Sequence, residues 1–329
     1  MTKSVDAGPV SSSSDRGRTV LVLTGPTASG KTRIALLIAR NLDAEIVSAD
    51  SRQVYKYMDV GTAKPSPEER QLVKHHFVDE LNPDQEFNAG EFGKAGRKII
   101  DDILSRHKLP LVVGGSGLYI RSLVDGFFEG PSADKTLRRA LYDRLKVEGH
   151  QALLSELRKI DPVSASQMLP ANTRRIVRAL EVHQLTGTPI SELQRCPVKI
   201  NLVPCFAGLL WDRKLLYERI NKRVDNMIEH GLVEEAKRLQ SRGYSRTLNA
   251  FQTVGYKEAF DYVAGYITCE RMVDLIKQNS RRFAKRQLTW FRRDNRIRWF
   301  GVADEDDFPK VASSISDYFL SGEAAENFE

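Results

Sequence analysis

The sequence predicts an α/β protein, a phosphate-loop core with a doubly wound parallel sheet and a helical insertion domain. Three observations carry this reading. Short, uninterrupted apolar runs alternate with amphipathic helical stretches; a glycine-rich turn, "GPTASGKT" at Gly25–Thr32, follows the first run; and residues 125–199 keep helical periodicity with no strand-like run between. Apolar runs without polar alternation mark strands covered on both faces, as in parallel sheets, whose ligand sites lie at the strands' carboxyl ends.

Each element follows from its residues in order. Residues 1–18, "MTKSVDAGPVSSSSDRGR", are Ser-, Gly- and Asp-rich without apolar periodicity, and read as a disordered tail. The first part of the core, 19–124, opens with the strand "TVLVLTG" and the helix "TRIALLIARNL". "AEIVSAD" and "LPLVVGG" repeat the strand pattern, each followed by a polar or glycine-rich turn and then helical sequence. Over 125–199, "KTLRRALYDRLKVEGHQALLSELRKI" and "NTRRIVRALEVHQLTG" carry the 3.6-residue period of an insertion. The core resumes over 200–310 with the strand "LVPCFAGLLWD", a long basic helix and a final strand "IRWFGV"; residues 311–329 form a C-terminal helix and tail.

With 329 residues and 41% hydrophobic content, the chain can bury one large core and a smaller appendage. No window approaches the roughly 18 apolar residues of a membrane span, and the start lacks the apolar core of a secretory signal. A cytosolic protein with no membrane partner is therefore expected. Cys196, Cys205 and Cys269 show no C-x-x-C pairing and read as reduced, buried thiols. His75 and His76 have no third ligand at useful spacing, which favours packing or hydrogen bonding over a metal.

The net charge is +7, and its location is informative. Arg281, Arg282, Lys285, Arg286, Arg292, Arg293, Arg296 and Arg298 face one acid, Asp294, in one segment that carries the whole excess. A basic surplus confined to one element is the footprint of a polyanion. On a helix, Arg281, Lys285 and Arg292 form one row and Arg282, Arg286 and Arg293 the next, opposite Phe283, Leu288 and Phe291. "RRIVR" at Arg174–Arg178 repeats the idea in the insertion, which is expected to grip the same polyanion.

Gly25-x-x-x-x-Gly30-Lys31-Thr32 is a phosphate loop in the required context, after a strand and opening a helix. Its backbone, from Gly25 through Pro26, Thr27, Ala28, Ser29 and Gly30, should wrap phosphates; Lys31 neutralises charge and Thr32 places a hydroxyl on Mg²⁺. A hydrolytic enzyme of this class normally ends another strand in an acid that holds the metal. Here "LPLVV" runs into Gly114 and Gly115, which weakens motor, pump and switch readings. Asp50 ends the second strand beside the loop, either to take a proton or bind Mg²⁺, or simply to cap the next helix.

Six ordered blocks, "GPTASGKT", "DSRQVYKYMDVGTAKP", "VGGSGLYIRSL", "RRIVRALEV", "TVGYKE" and "AKRQLTWFR", closely resemble the bacterial-type tRNA dimethylallyltransferase family, also called tRNA isopentenyltransferases. The resemblance runs from about Val20 to Phe300 and implies transfer of the five-carbon unit of dimethylallyl diphosphate to the exocyclic amine of the adenosine just 3′ of the anticodon. It also implies that the phosphate loop holds the donor's diphosphate, with Mg²⁺ as cofactor and one tRNA per monomer. Eukaryotic members carry a C-terminal Cys/His zinc finger; this chain ends "DYFLSGEAAENFE".

By the same resemblance, Lys31 and Arg223 carry charge to the leaving diphosphate and Asp50 is the general base, with Ser116 standing where the family commonly has threonine. Arg223 could instead be a surface arginine paired with an acid, and Ser116 is expected to hydrogen-bond Asp50 or the acceptor. The family's tRNA contacts carry over to Asp50, Ser51, Arg52, Gln53 and Ser116, to Arg138, Arg174, Arg175 and Arg178 of the insertion, and to Gln252, Gly255, Tyr256 and Lys257. On the basic helix they carry over to Arg282, Lys285, Arg286, Gln287, Trp290 and Arg292. Gly255 and Tyr256 could equally mark a helix boundary with packing. The rival readings are an adenylate isopentenyltransferase acting on AMP, ADP or ATP, a small-molecule kinase, and a non-catalytic RNA-binding protein. The first needs no RNA-length basic stripe; the last would not need Lys31, Thr32 and Asp50 together.

Overall fold

The computed structural model describes residues 18–323 except 129, 132–133, 196–197 and 199, so the expected tail, apart from Arg18, and Cys196 lie outside the described residues. Two compact units form, one of Asp125–Ile200 and one from the chain up to Val124 and from Asn201 onward.

In the larger unit the elements are β1 (Thr19–Thr24), α1 (Lys31–Asn41), β2 (Ala44–Ser48), α2 (Pro67–Leu72), β3 (His75–His76), α3 (Ala89–Ser105), β4 (Leu109–Gly114) and α4 (Gly117–Val124). The smaller unit holds α5 (Lys135–Glu148), α6 (His150–Ile160), α7 (Pro162–Ser166), α8 (Thr173–Thr186) and α9 (Ile190–Leu193). The larger unit continues with β5 (Val203–Trp211), α10 (Arg213–Glu229), α11 (Leu232–Ser241), α12 (Tyr256–Val263), α13 (Cys269–Phe291), β6 (Arg298–Val302) and α14 (Phe308–Ser321).

All six strands are parallel, in the order β3-β2-β4-β1-β5-β6. From β1 the chain winds first toward β2 and β4 and later toward β5 and β6. The carboxyl end of β1 is therefore the switch point, where a doubly wound sheet opens a crevice. The apolar runs are buried on both faces, with Val20, Leu21, Val22 and Leu23 fully inaccessible, and Ile34 and Ile38 of α1 seal against Leu111, Leu209 and Ile315 in one core. The smaller unit has a core of its own, around Leu141, Leu153, Leu157, Ile176 and Leu180.

Three features go beyond the sequence reading. The polar turn after β2 is long: residues 50–64 form a chain of turns, in which Tyr57 and Ala63 take left-handed φ of 66° and 46°, before α2 begins. The short strand β3 was not expected, because "HH" carries no strand pattern; its residues pair with Ile46 and Val47. His76 Nε2 contacts Glu45 Oε2 at 2.8 Å and His75 Nδ1 contacts the Val73 carbonyl at 2.7 Å, and no group of three metal-ligating side chains exists among the described residues. Third, the C-terminal helix α14 starts at Phe308 and packs Phe308, Val311, Ala312 and Ile315 into the core cluster that includes α1. No described helix is long and apolar enough to cross a membrane.

Candidate active site

The phosphate loop closes the β1–α1 junction. Gly30 has φ 85°, and a Cβ there would lie 2.3 Å from the Phe308 ring, so both the turn and the packing require glycine. The loop's outer carbonyls are occupied: Arg219 Nε donates to Ala28 O at 3.0 Å, and Trp211 Nε1 donates to Ser29 O at 3.0 Å. The Arg219 guanidinium stacks over the Trp211 ring at 4.4 Å, which stiffens this support. α1 has no side-chain cap and no acid in its first turn. Its amino-terminal N–H groups are thus left for an anion.

Lys31 Nζ donates to Gly25 O at 2.9 Å and Pro26 O at 2.7 Å. Burial first, then the neighbouring Arg223 charge, push the Lys31 ammonium down to about 7, against the pull of the Asp50 carboxylate. Burial also lowers Arg223, again opposed by Asp50. The structure thus brings two cations and one carboxylate, from α1, α10 and the end of β2, into one electrostatically coupled cluster. Arg223 has no acidic ion-pair partner among the described residues; its Nη2 donates to Thr62 O at 3.4 Å.

Asp50 does not cap a helix. Its Oδ1 accepts from Arg52 N at 2.9 Å in a local turn, while Ser116 Oγ accepts from Ser51 N at 3.2 Å. Of the two partners expected for Ser116, Asp50 or the acceptor, Asp50 is not bonded to it among the described residues: the Ser116 hydroxyl pins the backbone beside Asp50, and its own proton remains available to donate. Gln53 Oε1 accepts from Ser48 Oγ at 3.0 Å, and its Nε2 reaches Ala63 O at 3.3 Å, so it ties the loop together. Gly114 sits where a metal-binding acid would end β4; a Cβ there would lie 2.2 Å from Ala49 O, so no side chain fits.

The site's largest surprise in support is Glu235. It is only 3% exposed, and its carboxylate accepts from the N–H groups of Asp59, Val60 and Gly61 at 2.8, 2.9 and 3.1 Å, and from the Tyr256 hydroxyl. Lys64 adds a second knot, donating to Tyr55 O at 2.9 Å and pairing with Asp59 and Asp79. These bonds hold the segment that presents Thr62 to Arg223. Tyr256 is fully buried and Gly255 is buried beside it, so neither is an open RNA contact; Lys257 and Gln252 are exposed. The signal for Glu235 was in the sequence: it lies on the apolar face of α11, among Leu232, Val233, Ala236 and Leu239.

Helix α13 also differs from expectation. Its buried face is Met272, Ile276, Ala284, Gln287 and Phe291, whereas Phe283 is 38% exposed, with the Arg286 guanidinium over its ring at 5.6 Å. Gln287 is therefore not on the open RNA face. Arg296 pairs with Asp294, Arg298 with Glu323, and Arg281 donates to Asn221 Oδ1 at 2.6 Å. Arg282, Lys285, Arg286, Arg292 and Arg293 are exposed, with no ion-pair partner shown among the described residues, and Trp290 is 38% exposed. Within the insertion, Arg174 and Arg175 are exposed, but Arg138 and Arg178 each contact the fully buried Glu181 at 2.8 Å. Burial alone would raise Glu181; the two arginine bonds outweigh it and hold the carboxyl below its ordinary value. Cys205 is buried and its thiol pushed up to about 12 by desolvation, and Cys269 is half-buried and free.

A phosphate loop facing a carboxylate and a second cation, with glycine in place of the metal-binding acid, defines a phosphate-loop transferase. The comparisons narrow the class. The family model described as IPP transferase matches residues 53–294. Proteins named tRNA dimethylallyltransferase from Pelotomaculum thermopropionicum and Geobacillus kaustophilus are 45% and 44% identical over 309 and 301 residues, covering 93% and 91% of this chain and 98% and 95% of theirs. The structure of a full-length tRNA isopentenylpyrophosphate transferase from Bacillus halodurans is 40% identical with a TM-score of 0.69, covering 94% of this chain and 97% of that one. A eukaryotic dimethylallyltransferase solved acting on tRNA is 26% identical with a TM-score of 0.76, over 93% of this chain and 80% of that one. The chain belongs to the IPP transferase family.

Proposed function

We propose that this chain transfers the dimethylallyl group of dimethylallyl diphosphate to the exocyclic amine of the adenosine 3′ of the tRNA anticodon, releasing diphosphate. The observation that carries the reading is the coupled cluster of Lys31, Arg223 and Asp50 beside the uncapped start of α1. The allylic C–O bond breaks with its electron pair leaving on diphosphate, and Lys31 and Arg223 meet that charge as it develops. The amine nitrogen bonds to the allylic carbon and its proton passes to Asp50. Ser116 and Gln53 fix the backbone on which Asp50 stands.

The donor set suits Mg²⁺. Thr32 offers one hard oxygen at the loop, and Mg²⁺ commonly binds through few protein oxygens, several waters and substrate phosphates. When bound, the ion neutralises negative charge on the diphosphate. The acceptor base must leave its stack to be reached, as in other enzymes that work on bases. The exposed cations of α13, with Trp290, serve the anticodon arm, and Arg174 and Arg175 serve it from the insertion; Arg138 and Arg178 act mainly by shaping the insertion around Glu181. The enzyme works as a monomer in the cytosol.

The test is transfer of radiolabelled dimethylallyl group, with Mg²⁺, to unmodified tRNA and in parallel to AMP and ATP. Label in tRNA alone is expected; label in free nucleotide would make the chain an adenylate prenyltransferase. Charge reversal of Arg282 and Arg286 together should weaken tRNA binding and flatten the slope of log affinity against log salt by about 1.5. A slope equal to the unaltered protein's would remove these residues from the RNA surface.

A further inference from the structure

Gln287 is the one polar residue on the buried face of α13, 7% exposed, and both ends of its amide are used. Its Oε1 accepts from Thr27 N of the phosphate loop at 2.8 Å, and its Nε2 donates to Gly115 O at 2.9 Å. Gly115 immediately precedes Ser116, whose hydroxyl holds the Ser51 N–H next to Asp50. One side chain therefore spans the two walls of the site, the one that takes diphosphate and the one that carries the base. The fit leaves no slack: a Cβ on Gly115 would fall 2.1 Å from Gln287 Nε2, and one on Gly117 would fall 2.1 Å from Trp290 Nε1. Gly115 and Gly117 thus admit α13 to within bonding distance.

We infer that Gln287 is a positioning residue that fixes the phosphate loop against the Gly115–Ser116 turn and so sets the separation between the donor's diphosphate and Asp50. The inference rests on the transfer reaction proposed above. Its chemistry is specific to an amide: the loop side needs an acceptor and the turn side needs a donor. Methionine keeps the length of the side chain and supplies neither bond. Glutamate supplies the acceptor at every pH but the donor only when protonated, because a carboxylate oxygen would otherwise face the Gly115 carbonyl.

Q287M and Q287E, assayed with saturating tRNA, test this. Q287M should raise the KM for dimethylallyl diphosphate by about tenfold and lower kcat by about ten- to a hundredfold, with tRNA Kd within about twofold of the unaltered protein's. Q287E, read as its ratio to unaltered enzyme at each pH, should recover at least about fivefold between pH 8 and pH 6, since the protonated carboxyl reproduces both bonds. General damage to packing would not titrate in this way. Calorimetry with inorganic diphosphate reads the same loop without any acceptor: Q287M should bind about tenfold more weakly whatever the acceptor proves to be. A Q287M with unaltered diphosphate binding and kcat, a loss confined to tRNA affinity, or a Q287E ratio that stays flat with pH would each overturn the inference.

Discussion

Asp50→Asn should slow prenyl transfer to tRNA by about 10²- to 10⁴-fold in a single turnover while leaving tRNA affinity within about twofold. The asparagine keeps the shape of the side chain and an Oδ1 that can accept from Arg52 N, now at 2.9 Å, so the turn at residues 50–52 persists. What disappears is the group that takes the proton. An aromatic exocyclic amine shares its lone pair with the ring and attacks weakly until that proton is on its way out. Asp50→Ala should add little to the loss, because the turn is also held by Ser116 at Ser51 N, 3.2 Å away. Filter binding beside the transfer assay separates the roles. Should tRNA affinity fall in step with the rate in both variants, Asp50 would be a turn residue and the base would have to be sought elsewhere.

The sequence made the sheet and its loop legible because their signals are local. "TVLVLTG" has no polar residue to turn outward, and Gly25, Gly30, Lys31 and Thr32 stand at fixed spacing after it. Asp50 was legible as a strand end, since the carboxyl ends of parallel strands meet at one edge. What escaped the sequence depends on partners far along the chain. Glu235 serves Asp59–Gly61 across about 175 positions, and Gln287 serves Thr27 across 260. A helical period reports which face is buried, not what a polar residue on that face will meet. The basic helix shows the same limit. Arg281, Arg296 and Arg298 contribute to the charge count, yet the bond of Arg281 to Asn221 and the pairing of the other two with Asp294 and Glu323 leave five open cations on a narrower surface.

Lys31 should take up a proton when the diphosphate donor binds above neutral pH, and Lys31→Met should lose both that proton and about 10²- to 10³-fold in kcat/KM. In the free protein the Lys31 ammonium lies at about 7, because burial and the Arg223 charge disfavour it more than Asp50 favours it. An anionic diphosphate beside it reverses that balance and raises the value in the complex. Well below pH 7 lysine is charged before and after binding and no proton moves. Above pH 7 it is mostly neutral when free and charged when bound, so affinity should fall with rising pH, by up to about tenfold per unit, until the raised value is reached. Calorimetry in buffers of different ionisation enthalpy counts the protons, and the methionine variant subtracts those of the ligand itself. The difference should be near half a proton at pH 7 and approach one at pH 8.5. Equal uptake by both proteins would mean that Lys31 stays charged throughout. Its work would then be attraction of the diphosphate alone, with no proton linking donor binding to pH.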